Sequence, residues 1–236
     1  MRGLIVALGF MTRLPLPRVH ADASDFAAAI RWYPAVGLIV GMVVAGATWA
    51  GSWIDPWVGA LAGLVAWVAV TGALHLDGLS DLSDGLGAAH GDRARLIAVM
   101  ADPHVGSFGV VAIGVQLIAK LVLLHAAVSW TAVMLVPFAA RLGPLLWARW
   151  LRPLKPGLAA SVAPAVRARD LIGWGAVLAG ACVVSPSLLA APLVLVGWGW
   201  WLRRRVGGIS GDGHGAGIEC SETALLIASI IASRLG

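Results

Sequence analysis

His75-Leu76-Asp77-Gly78-Leu79-Ser80-Asp81-Leu82-Ser83-Asp84-Gly85-Leu86 continues directly from an apolar run that begins at Trp57. On a helix turning about 100° per residue, aspartates at i, i+4 and i+7 fall within an arc of about 60° and stack on one face. The run before them, residues 57–76, matches the roughly 20 apolar residues that cross a hydrocarbon core. This reads as a membrane-crossing helix that surfaces with three crowded carboxylates. Their mutual repulsion is worst at the edge of a low-dielectric region, and a divalent cation relieves it. Ligands that are all oxygen favour Mg²⁺, Mn²⁺ or Ca²⁺ over zinc. The alternative is three solvated acids on a helix face, with Ser80 and Ser83 in capping roles.

The rest of the chain supports a membrane fold. Of 236 residues, 59% are hydrophobic and only 12% charged, with a mean hydropathy of +0.87, which excludes an ordinary soluble domain. The period-2 alternation of a barrel is absent, so spans must be helices. The expected fold is all-α, one polytopic membrane bundle over residues 1–236, with about seven transmembrane helices and an N-terminal interfacial helix. Spans are expected at residues 32–53, 57–76, 106–128, 130–150, 171–185, 188–202 and 220–235, with a short amphipathic helix at 92–101 and a pivot at Val128-Ser129-Trp130. Residues 1–18 hold an apolar run, Leu4 to Met11, then Arg13, Pro15 and Pro17 with no small-residue cleavage site. An interfacial helix fits this better than a signal peptide. Cys182 and Cys220 have no metal-ligand spacing and indicate no disulfide.

The formal charge of +5 is better explained by topology than by nucleic acid. In the seven-span arrangement Arg13, Arg18, Arg93, Arg95, Arg152, Lys155 and the Arg203–Arg205 triplet share one side. The opposite turns, near 54–56, 128–130 and 185–187, carry no Lys or Arg, and Arg234 alone dissents. This asymmetry marks the basic side, and the acidic stretch with it, as cytoplasmic.

A second polar stretch, Arg203 to Glu222, holds both glutamates of the chain, Glu219 and Glu222, and glycines at 207, 208, 211, 213, 215 and 217. Such glycines permit close backbone approach to a ligand, and arginine forks with backbone N–H groups suit phosphate. Asp212 and Glu219, seven apart, share a face if a helix begins near 212. The plainer reading is a positive-inside stop signal with a flexible connection. Asp102 either ligates a cation or caps the next span. Arg141 sits within a predicted span, where a charge turns to a polar interior and neutralises phosphate or an acidic cluster; Lys120 is similarly placed. His75 reads as a base, a neighbour of a cation or a packing residue. Acids, a divalent cation and arginines at a membrane surface point to phosphoryl transfer on a partly embedded substrate.

On the His75–Leu86 string, together with Phe10-Met11-Thr12-Arg13-Leu14-Pro15, Trp32-Tyr33-Pro34, Asp102 to Gly109, Ala140-Arg141 and Gly207-Gly208-Ile209-Ser210-Gly211-Asp212 to Glu219, the chain resembles the cobalamin synthase (adenosylcobinamide-GDP ribazoletransferase) family. It departs from that pattern at Ala101 and His104, where basic residues are expected, and at Ser210, where threonine is common. The resemblance implies the last assembly step of vitamin B12 in the bacterial inner membrane, with the active site facing the cytoplasm. Adenosylcobinamide-GDP and α-ribazole, or its 5′-phosphate, would give adenosylcobalamin, or its 5′-phosphate, and GMP with Mg²⁺. Read onto this chain, and going beyond the resemblance itself, Asp77, Asp81 and Asp84 are assigned as the catalytic carboxylates on Mg²⁺ and the diphosphate, with one of them a candidate base. Asp212, Glu219 and Asp102 would be further metal ligands. Arg141, His75, Gly208, Ser210 and Gly211 would contact substrate. Membrane lipid is an expected partner and nucleic acid is not; oligomeric state stays open.

Two other readings compete. CDP-alcohol phosphotransferases perform the same kind of displacement, but their Ala-Arg after Asp-Gly and their wider aspartate spacing are missing here. A cation-coupled transporter would place its acids near the midplane and often repeat its halves. Here the acids gather at one edge and no repeat is evident.

Overall fold

The structure, a computed structural model, describes residues 2–127, 129–155 and 157–235; Val128, part of the expected pivot, lies outside them. Among the described residues every named element is a helix. In chain order they are α1 (Arg2–Met11), α2 (Ala23–Ala29), α3 (Tyr33–Ser52), α4 (Pro56–Thr71), α5 (Leu74–Ala89), α6 (Arg93–Val99) and α7 (Ser107–Ala126). Then follow α8 (Trp130–Ala140), α9 (Gly143–Trp150), α10 (Leu158–Val162), α11 (Ala168–Val184), α12 (Ala191–Arg205) and α13 (Gly211–Leu235).

Local chemistry sets several boundaries. Asp55 takes the Trp57 N–H at 2.7 Å, and Pro56 opens α4, where the missing N–H costs nothing. Gly106 precedes α7 and has no side chain to cap it. Asp84 does so from 22 residues away, accepting the Gly106 N–H at 2.8 Å and the Gly109 N–H at 2.9 Å. Ser210 accepts the Gly213 N–H at 3.0 Å and so opens α13.

Four helical stretches are long and apolar enough to cross a membrane: Ala23–Ser52, Ser107–Ala126, Trp130–Trp150 and Gly211–Arg234. Taking α4 with α5 as one broken span gives five. The other two expected spans, α11 and α12, have 17 and 15 residues, short of the roughly 20 a crossing needs. A 3₁₀ turn, Pro186–Ala190, takes up residues between them, and Arg203–Arg205 end α12 in charge. Both helices turn apolar side chains outward, among them Ile172, Val183 and Leu193, as lipid-facing helices do. The stretch through α8 and α9 is the most enclosed of the spans, and Val136, Phe138, Ala139, Ala140 and Arg141 have no exposed surface.

One expectation about the acidic stretch needs correction. The run from Trp57 does not continue straight into it. Gly72 and Ala73 adopt left-handed backbone, φ 60° and 59°, and α5 leaves the line of α4 at 84°. In the second polar stretch α13 begins at Gly211, next to the expected start near 212, so the glycines from 211 to 217 lie on a helix and the flexible connection does not apply to them. Gly217 packs under Trp147 and Trp198. A Cβ on Gly78 would stand 2.9 Å from the Asp212 carbonyl oxygen, and one on Gly215 would stand 3.3 Å from the His75 Cα. Absent side chains thus let α5 and α13 touch backbone to backbone.

Candidate active site

This close contact brings together two stretches more than a hundred residues apart in sequence. Asp77 and Asp81 on α5 and Asp212 on α13 are near enough to repel one another, and Lys155 opposes them. Asp77, Asp212 and Lys155 line one cleft of about 340 Å³. Its remaining wall is mostly apolar: Phe10 and Met11 of α1, Ile30, Tyr33, Met100, Pro144 and Ile218, with His75 and His214 among them. α1 is therefore a wall of the cleft, held to the end of α4 by Arg13 N–H on Val70 C=O at 2.8 Å.

Among the described residues, no three His, Cys, Asp or Glu side chains converge enough to form a ready-made metal centre. The acids still suit Mg²⁺. That ion keeps several waters and takes one or two carboxylates together with substrate phosphates, so a closed protein cage is not its usual home. Asp77 is exposed and Asp81 half-buried, leaving their oxygens open to a hydrated cation.

Behind the cleft lies a second, enclosed set of charges. Lys120 Nζ is 2.7 Å from Glu219 Oε2 and 2.6 Å from Glu222 Oε2, and Arg141 Nη1 is 2.8 Å from Glu222 Oε1. Gln116 donates to Glu219 Oε2 at 2.8 Å and to its carbonyl at 2.9 Å. Arg141 Nη2 reaches His75 Nδ1 at 3.4 Å. Two cations face two anions, and the Lys120 ammonium also lies 4.1 Å over the Trp67 ring. Desolvated charges are tolerable when so paired.

With that geometry in place, comparison with known proteins identifies the lineage. Residues 3–230 match the family described as cobalamin-5-phosphate synthase. The chain belongs to the cobalamin-5-phosphate synthase family. A protein of Novosphingobium aromaticivorans named adenosylcobinamide-GDP ribazoletransferase is 58% identical, covering 98% of this chain and 97% of its own length. Proteins of the same name from Laribacter hongkongensis and Thiobacillus denitrificans are 52% and 48% identical, covering 100% and 96% of this chain and 99% and 94% of their own lengths. No solved structure matches the chain. As a cobalamin-5-phosphate synthase family member it is a membrane-helical enzyme of cobalamin synthesis.

Within this family member, the residues expected to act together divide into groups. Asp77, Asp212, Gly211 and His75 meet at the cleft, and Asp81 stands close enough to feel the charges of Asp77 and Asp212. Asp84 is buried and spends one bond from each carboxylate oxygen on α7. Glu219, expected on the metal, is held by Lys120 and Gln116 because α13 turns that face inward. Arg141 has no exposed surface, so of its two expected roles it is placed on an acidic cluster, at Glu222, and not on open phosphate. Asp102 is exposed and closes a local turn, accepting the His104 N–H at 2.9 Å and facing its Nδ1 at 2.6 Å. These contacts hold its carboxyl below the usual range. Gly208 packs on Arg152 C=O beside the Ile209 N–H bond to that same oxygen, and Ser210 caps α13; neither lines the cleft. Sequence reasoning counted Lys155 only among the basic residues that mark one side of the membrane; the fold carries it to the acids. His214, the other histidine that the sequence singles out beside His75, also lines the cleft, and its two ring nitrogens are buried without a hydrogen-bond partner among the described residues.

Proposed function

We propose that this chain transfers the adenosylcobinamide phosphate group from adenosylcobinamide-GDP to α-ribazole or α-ribazole 5′-phosphate and releases GMP. The observation that carries the reading is the meeting of Asp77 and Asp212 with Lys155 at one cleft, with Asp81 near enough to feel all three charges, in a chain alike from end to end with proteins bearing that transferase's name.

A ribose hydroxyl of the acceptor attacks the phosphorus nearer the corrinoid. The new P–O bond forms as the bond from that phosphorus to the oxygen bridging to GMP breaks, and GMP departs with the electron pair. The hydroxyl proton passes to a carboxylate, for which Asp77 and Asp81 are the candidates by position. Lys155 stands where it balances phosphate charge. The apolar wall from Phe10 to Ile218 keeps water from competing with the acceptor. Asp77, Asp81 and Asp212 would hold Mg²⁺, which supplies charge neutralisation on the diphosphate and its leaving group. Asp84, Glu219 and Asp102 are left out of this ligand set. A cleft of about 340 Å³ takes the diphosphate and its neighbours, with the corrinoid outside.

The lack of Lys and Arg in the turns at 54–56 and 185–187 supports a bacterial inner-membrane location with the cleft toward the cytoplasm. The test is GMP release by the purified chain in detergent from adenosylcobinamide-GDP and α-ribazole. Release should stop with EDTA and return with Mg²⁺. Full turnover in EDTA would remove the metal, and no GMP with both substrates and Mg²⁺ present would remove the reaction.

A further inference from the structure

His75 is the one cleft residue that also touches the buried charge network. It is 3% exposed, lines the cleft, and has a single ring partner, Arg141 Nη2 at 3.4 Å from Nδ1. A guanidinium carries donors and no acceptor. Nδ1 must therefore accept, and the ring's N–H lies on Nε2. That Nε2 is buried and has no partner among the described residues. An unpaired buried donor costs about 1–3 kcal/mol, and such an atom at a cleft wall invites a ligand acceptor.

The guanidinium is itself immobilised. Arg141 Nη1 donates to Pro137 C=O at 3.0 Å and to Glu222 Oε1 at 2.8 Å, and Lys120 holds the other Glu222 oxygen at 2.6 Å. His214, by contrast, lines the same cleft with its ring stacked on Trp147, and no hydrogen bond among the described residues selects its tautomer. His75 is two residues before Asp77, beside the acids that would gather the diphosphate.

We propose that His75 donates its Nε2–H to a diphosphate oxygen of the substrate, and that Arg141 is the positioning residue that fixes the ring in this tautomer. This rests on the transfer reading above and adds to it an uncharged donor with a stated atom. No proton is transferred: the bond forms to charge that grows on the leaving oxygen as the bridge breaks.

Two measurements test this on the full chain in detergent. The first is kinetic. Loss of one donor aimed at developing charge costs about 10²–10³-fold in kcat, so His75→Leu should lose that much with KM changed far less. His75→Gln, whose amide nitrogen reaches the Nε2 position, should recover a large part; His75→Asn, which reaches only the Nδ1 position, should not. The second is ¹⁵N spectroscopy of histidine-labelled protein, with the His75 signal identified by its loss in His75→Gln. It should show hydrogen on Nε2, a shift at Nε2 on adding pyrophosphate with Mg²⁺, and loss of the fixed tautomer in Arg141→Lys, which keeps a cation for Glu222. Hydrogen on Nδ1, an Nε2 signal indifferent to pyrophosphate, or normal kcat in His75→Leu would overturn the proposal. If the wild-type chain releases no GMP, the transfer reading fails, while the spectrum and its response to pyrophosphate still decide the role of His75.

Discussion

Lys120 Nζ lies 2.6 Å from Glu222 Oε2, and both side chains are shut off from solvent at 3% and 0% exposure. The pair is part of a set with two positive and two negative charges, so removing one member leaves a net charge inside the bundle. Breaking a buried pair from one side costs about 3–5 kcal/mol. Lys120→Met should therefore lower the thermal midpoint in detergent sharply, and Glu222→Gln should do likewise. Lys120→Met combined with Glu219→Gln restores the charge balance and should recover part of the loss. A Lys120→Met/Glu219→Gln variant that loses as much as Lys120→Met and Glu219→Gln measured singly and added together would mean the four groups are not one network.

The contact between α5 and α13 depends on glycines, and this yields a second expectation. A methyl on Gly78 would meet the Asp212 carbonyl oxygen at 2.9 Å and its Cα at 3.0 Å, both backbone atoms that cannot swing aside. Gly78→Ala should push the two acid-bearing helices apart and cut GMP release by an order of magnitude or more, with the chain still inserted in the membrane. Gly46 and Gly114 have open space where a Cβ would go. Alanine there should leave activity intact and add up to about 1 kcal/mol of helix stability. Equal turnover in Gly78→Ala and Gly46→Ala would show that the helix spacing does not matter.

Much of this was legible from residue order, and the failures have physical causes. The apolar run and the i, i+4, i+7 aspartates announce a helix that leaves a membrane carrying charge, since burial and periodicity are both written in composition. What they do not announce is the 84° turn at Gly72-Ala73. Ala73 is left-handed with φ 59°, and no propensity favours alanine there. Glu219 shares a helix face with Asp212, but seven residues at 1.5 Å each set it about 10 Å further along the axis, past the cleft and against Lys120. Lys155 and Arg141 show the reverse: a single charge carries no periodic signal, and only packing decides which acid it meets.

Ala73 itself gives a third test. A side chain in left-handed backbone costs about 1–2 kcal/mol, and glycine removes that cost. Ala73→Gly should be neutral or raise the thermal midpoint with activity kept, and Ala73→Val should lower both, since a branched side chain fits that conformation worse. A stable, active Ala73→Val would mean the bend between α4 and α5 is not held in this form.

Asp81 and Asp84, three residues apart, should part company when each is changed to asparagine. Both acceptor oxygens of Asp84 are in use, 2.8 Å from the Gly106 nitrogen and 2.9 Å from the Gly109 nitrogen. An amide keeps one acceptor but sets an NH₂ against the other N–H, and loss of a cap of this kind costs about 0.5–2 kcal/mol. Asp84→Asn should thus lower the thermal midpoint, with GMP release falling only as far as the loosened start of α7 disturbs α5. Asp81 makes no such structural bond; its neighbours are the like charges of Asp77, Asp84 and Asp212. Asp81→Asn relieves repulsion, so the midpoint should hold or rise while GMP release collapses and the Mg²⁺ concentration needed for half-activity climbs. The two variants therefore separate a carboxylate kept for structure from one kept for chemistry, by measuring stability and Mg²⁺ response on the same preparations. If Asp84→Asn abolished turnover at an unchanged midpoint and Asp81→Asn did the opposite, the assignment would have to be exchanged.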